Sequence, residues 1–281
     1  MKGSDWIKML PKCMNTKEAR WEYERLVLEA VLADLILPIV WCPIQSEIGL
    51  TRVITWVSDD VLRVGEPDDY VRVMMTARTQ QLVADILDAR IITSKICDMI
   101  WLQADHRIEP CTQPAAVEAG TMDCADVMAK ASRDIDAAIA GRSGLIADIG
   151  KHWVLSKALA SHPGMATNYG WHTEHSRPDP EHPENGPYWC AATGGYMWQT
   201  LGMRHNTGSA DGDPGHLDYG QLDRLWCRVT EVDDQRVPTD DVLASSELAP
   251  AVSYDGRISP RYPGVPRQPP DAALADPPLA G

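Results

Sequence analysis

Apolar residues recur every three or four positions through the first long segment, with Trp21, Leu28, Leu32 and Leu35 on one face and Pro38 closing the run. That spacing predicts an amphipathic helix over residues 16–37. Two short β-rich runs follow, 53–57 and 71–75, separated by the turn-like Gly65-Glu66-Pro67-Asp68-Asp69, and a short hairpin is expected there. Thr76 is placed to cap a helix reaching Asp88. Thr93 or Ser94 is placed to cap a second, which carries Ile96, Met99 and Ile100 inward. Beyond a connector containing Pro110 and Pro114, a third helix is expected at about 122–140, ended by Gly141 and Gly144. The stretch 151–161 reads as a short helix or a strand–helix junction.

After Pro163 the pattern changes from helical spacing to alternation. Strands are expected at about 166–172, 196–203 and 217–232, joined by long polar loops. The loop over 173–187 holds four prolines and is too long for a tight hairpin. From Asp233 onward Asp, Pro, Ala and Gly dominate without periodicity, with nine prolines between Pro238 and Pro278, so an unstructured tail is expected. The resulting fold class is α+β. A mainly helical N-terminal part with a short hairpin covers 1–144, a β-rich part covers 145–232, and the tail covers 233–281.

Composition narrows the function classes. An apolar fraction of 44% and a charged fraction of 23% belong to a soluble globular chain, and 281 residues suffice for a real core. Phe is absent, so ten Trp, eight Tyr and the Leu, Ile and Met side chains must fill the core volume. A formal charge of −14 argues against nucleic-acid or anionic-membrane partners, which need clustered Lys and Arg. The apolar run 26–41 is broken by Glu29 and Asp34 and is too short to span a bilayer. Seven widely spaced cysteines without a C-x-x-C pair predict reduced, buried thiols and a cytoplasmic site of folding. No apolar h-region follows Met1, so no Sec signal is expected.

Candidate chemistry is concentrated in one region. Seven of the eight histidines fall between His152 and His216. His172 closes one expected strand and His205 the next, and His216 with Asp218 opens the third, so the four side chains are expected to share one mouth. Two or three His with one carboxylate and an open position suit a divalent metal such as zinc. The same set without metal suits general acid–base catalysis by His172, His205 and Asp218, the carboxylate fixing a histidine tautomer. Trp198, Gln199, Arg204 and Tyr219 are the candidate substrate-binding residues. Structural readings stand beside these: His172 closing a loop by a hydrogen bond, His152 and His162 packing or capping a helical segment, His175 and His182 solvated in the Pro-rich loop. Cys190 precedes His205 and His216 in the order some thiol hydrolases use, but its surroundings offer no helix N-terminus to activate a thiolate. No phosphate-binding glycine loop is present.

Two segments resemble a group of uncharacterised bacterial and phage proteins. One runs from Val57-Ser58-Asp59-Asp60 through Val64-Gly65, Asp69-Tyr70-Val71-Arg72-Val73 and Met75-Thr76 to Thr93-Ser94-Lys95-Ile96, with Asp98 and Trp101. The other is Gly150-Lys151-His152-Trp153-Val154-Leu155-Ser156, then Asn168-Tyr169-Gly170-Trp171-His172, Gln199, His205 and Asp218-Tyr219. The group carries a serine after the last phrase. Here Gly220 takes that place, which removes a nucleophilic serine. The resemblance implies cell-wall work. Together these readings lead to a hydrolase-like site acting on a polar polymer, peptidoglycan or peptide. The alternative is a non-catalytic module that binds a ligand or serves as a phage-associated structural part.

Overall fold

The computed structural model describes residues 1–160, 165–172, 215–267 and the backbone of 197–200. Helix α1 spans Gly3–Met9 and α2 spans Lys17–Leu32, the latter capped by the Thr16 side chain. The spacing expected α2 to reach residue 37, but Asp34 turns left-handed at φ 53°. Leu35 N–H then returns to Ala30 O and Asp34 N–H to Val31 O, a closure that satisfies the last carbonyls five residues before the expected end.

Strand β1 (Trp41–Ile48) pairs antiparallel with β2 (Thr51–Ser58) around Gly49 and Leu50. The turn at Gly65–Asp69 closes a different and smaller ribbon, β3 (Arg63–Glu66) with β4 (Asp69–Arg72). Thr76 caps α3 (Ala77–Ile86), Ala89–Ile91 forms β5, and Thr93 caps α4 (Ser94–Gln103). As the pattern required, Ile96, Met99 and Ile100 are buried. Strand β6 (His106–Arg107) lies parallel to β7 (Ile146–Ala147), and between them come α5 (Pro114–Ala119) and α6 (Ala125–Ile139). Ala140 and Gly141 end α6 in left-handed conformations.

The segment after residue 150 begins with β8 (Lys151–Val154) and a 3₁₀ turn at Lys157–Ala160. It continues with β9 (Met165–Gly170) and β10 (Met197–Thr200), and the three strands form a sheet in the order β10-β9-β8. The third expected strand starts late. Residues 217–224 are irregular, and only Leu225–Val232 forms a strand, β11. Asp218 accounts for the delay: its carboxylate takes the Gly220 N–H and its own N–H donates to Gln221 Oε1, a local turn that competes with a ladder.

Strand β11 ties the chain together. It pairs with β2 and β5 from the N-terminal part and with β12 (Gln235–Pro238) from the segment after it. The expected unstructured tail is therefore corrected as far as residue 267. Asp233 and Asp234, both with positive φ, form the hairpin turn that leads into β12. Helices α7 (Thr239–Ala244) and α8 (Ala249–Val252) follow. Val242, Leu243, Val252 and Tyr262 are buried, and one hydrophobic cluster runs from Trp6 to Val265. Prolines 238 and 250 stand at helix starts, where a missing N–H costs nothing, so proline content misled the composition reading. Residues 268–281 lie outside the described part.

Trp6, Trp153 and Trp226, with Tyr23, Met14, Met74 and Met75, supply the large core volumes in place of Phe. The expectation of reduced thiols fails for one pair: Cys13 and Cys124 form a disulfide, while Cys42, Cys97, Cys111 and Cys227 are in none. Among the described residues no helix is long and apolar enough to cross a membrane.

Candidate functional site

Gly170 ends β9 with φ 134°, a position where a Cβ would meet Gly150 O at 2.9 Å, and Trp171 follows left-handed at φ 58°. These two residues turn the chain and drive His172 into the interior against α4. His172 Nε2 lies 2.7 Å from Asp98 Oδ1 and Nδ1 lies 2.8 Å from Asp148 Oδ1. Asp98 also accepts Tyr169 OH at 2.9 Å and Tyr254 OH at 2.6 Å, and the Trp101 ring stacks on the imidazole at 5.5 Å. Burial disfavours charge on the ring, but the hydrogen bonds to Asp148 and Asp98 outweigh it and push the pKa up to about 9. His172 is thus an imidazolium with both nitrogens donating to carboxylates. In this arrangement it has no nitrogen left to accept a proton or bind a metal.

A second cluster lies beside Trp171. The 217–222 turn docks along the start of β8, with Lys151 N–H on Gly220 O and Leu222 N–H on Lys151 O. Asp218 Oδ1 accepts the Gly220 N–H at 2.8 Å. Its Oδ2 faces Lys151 Nζ at 3.1 Å and His216 Nε2 at 3.2 Å. Burial would raise the Asp218 pKa, yet the His216 hydrogen bond, the charges of Lys151 and His216 and the Gly220 amide hold it below the ordinary value. The carboxylate is therefore ionised and can only accept, which places a proton on His216 Nε2 and makes Nδ1 the nitrogen that can exchange one. Among the described residues Nδ1 has no protein partner. The His216 side chain is 34% exposed, against 5% for Asp218. Lys151 Nζ sits 5.2 Å from the Trp171 ring, and a Cβ on Gly220 would come within 2.8 Å of that ring. Trp171 thus separates the two clusters, with its backbone adjoining His172 and its ring covering Lys151 and Gly220.

The expected residues are distributed as follows. His216 and Asp218 come together. His172 forms its own cluster, with no hydrogen bond from it to Asp218. Tyr219 is buried and its OH accepts the Gln113 N–H at 2.8 Å, so it packs in the core. Trp198 and Gln199 lie in β10, opposite Thr167 and Ala166 of β9. Arg204 and His205 lie outside the described residues, as do Cys190, His162, His175 and His182. Among the described residues no group of three or more His, Cys, Asp or Glu is disposed to hold a metal ion. His152 is buried, its Nδ1 on Leu222 O at 2.8 Å; burial and the nearby Arg224 charge lower its pKa to about 3, so it stays neutral.

Asp98, Asp148, Lys151 and Tyr254 were given no role by the spacing of the histidines. Asp98 left one signal, a carboxylate inside the apolar run Ile96-Cys97-Asp98-Met99-Ile100, where an unpaired charge would be costly. Compared with known proteins, the chain matches no protein-family model, no curated protein and no solved structure.

Proposed function

We propose that the chain is a hydrolase-like enzyme in which His216, oriented by Asp218, acts as general base and then general acid on a polar polymer. The observation that carries this reading is the Asp218 carboxylate, buried and ionised, bonded to Nε2 of a partly exposed histidine. Its geometry leaves Nδ1 free to take a proton from a water molecule as that water attacks an acyl carbon. The imidazolium so formed is paired with Asp218 and returns the proton to the leaving nitrogen. Lys151 helps to keep Asp218 ionised, and is a positioning residue. Peptidoglycan or peptide is the substrate class that the resemblance to the bacterial and phage group favours.

The test is release of products from peptidoglycan fragments and model peptides, followed by mass spectrometry, with wild type and His216→Gln. Loss of turnover by about 10²–10⁴-fold in the variant supports the dyad. Full turnover in His216→Gln contradicts it, and turnover abolished by a chelator transfers the reading to zinc. One observation favours a second reading, a non-catalytic binding or phage-associated structural module: His172, central in the sequence pattern, has both nitrogens occupied. Saturable binding of the same fragments without turnover supports that module.

A further inference from the structure

A cavity of about 330 Å³ lies between the 3₁₀ turn, the end of α7 and the segment 257–263. Its apolar lining comes from Leu159, Ala160, Ile258 and Pro263. Three cations complete it, Lys157, Arg257 and Arg261, and no carboxylate lines it among the described residues. That combination is unexpected in a chain with 40 acidic and 26 basic side chains. Arg261 is held by Asp85 at 2.8 Å. Lys157 and Arg257 are exposed, and among the described residues neither side chain has a hydrogen-bonding or ionic partner.

We propose that this cavity binds a small anionic amphiphile, a free carboxylate of about eight carbons, with its chain on the apolar lining and its headgroup between Lys157 and Arg257. Charge complementarity selects the headgroup, since two cations without a partner among the described residues, set beside apolar surface, attract an anion. Volume limits the length: about 330 Å³ lies at the small end of ligand pockets, which suits a short chain such as that of octanoate. The site is independent of the His216–Asp218 reading. Its wall nevertheless continues into the first cluster, because Asp255, which accepts Ser156 OH and Lys157 N–H, directly follows Tyr254 on Asp98.

The test is calorimetric titration of the full chain with octanoate and with octanol, in wild type, Lys157→Gln/Arg257→Gln and Ala244→Trp. Both cations are exposed, so the double variant is expected to fold, and its melting curve checks this. Wild type should bind octanoate saturably and more tightly than octanol. The double variant should lose about tenfold in octanoate affinity and little in octanol affinity, and Ala244→Trp, on the cavity wall, should weaken both. Absence of saturable octanoate binding overturns the proposal. So does equal binding by wild type and double variant, or unchanged binding in Ala244→Trp.

Discussion

His172 and His152 are buried histidines with opposite electrostatics, and the protein's pH stability should record both. His172 has its folded pKa raised to about 9 from an unfolded value near 6.5. Its stabilisation is fully present below about pH 6.5 and is lost as pH rises through 9, a difference of about 3 kcal/mol. His152, lowered to about 3, contributes in the other direction: stability is full above about pH 6.5 and falls as the pH drops toward 3. Urea unfolding across pH should therefore show a maximum near pH 6.5, and in His172→Gln the alkaline slope should vanish. That variant should also lose about 3–5 kcal/mol at neutral pH, since it leaves two buried carboxylates without their cation. Gly220 gives a separate check. A serine there, as in the resembling group, collides with Trp171, so Gly220→Ser should cost about 1–3 kcal/mol and displace the ring from Lys151. At this scale the sequence set His216 beside Asp218, and the fold brings their side chains to 3.2 Å. The sequence did not reveal that Asp98 and Asp148 would neutralise His172, because these partners stand 74 and 24 positions away and only the fold brings them together.

Elements were most legible where a local signal decides them. Thr16, Thr76 and Thr93 each accept the N–H three residues on, as capping chemistry predicts, and the helices start where those residues stand. Thr93 also donates to Val252 O in α8, so Thr93→Ala should cost about 1–2 kcal/mol by chemical denaturation, while Thr93→Ser should cost far less. Elements were least legible where pairing decides them. Strand β1 carries Pro43, Gln45, Ser46 and Glu47 and its pattern predicts no element, yet it forms a sheet edge that tolerates proline and polar side chains. Arg72 shows an element fixed by a distant charge: it joins β4 to α6 by bonding Asp60 through both of its oxygens and Asp136 through one. Lys cannot reproduce that fork, so Arg72→Lys should be destabilising despite the conserved charge.

The whole molecule is organised around β11, which joins strands from the two ends of the described chain to one core. The α+β class was legible from the switch of period near residue 163. The folded segment 233–267 was not, because its few apolar residues become a core only against partners such as Val154, whose carbonyl takes the Tyr262 OH. Truncation after Pro238 should therefore abolish cooperative unfolding. The Cys13–Cys124 disulfide closes a separation of 111 residues, and Cys13→Ser/Cys124→Ser should lower stability by about 2–4 kcal/mol. In the proposed mechanism Asp218 works by orienting His216, and Asp218→Asn probes that role without altering the size of the side chain. Turnover of peptidoglycan fragments should fall by at least about 10²-fold, while unfolding free energy changes by no more than about 1–3 kcal/mol. A folded Asp218→Asn protein that retains full turnover would contradict the proposed role of Asp218.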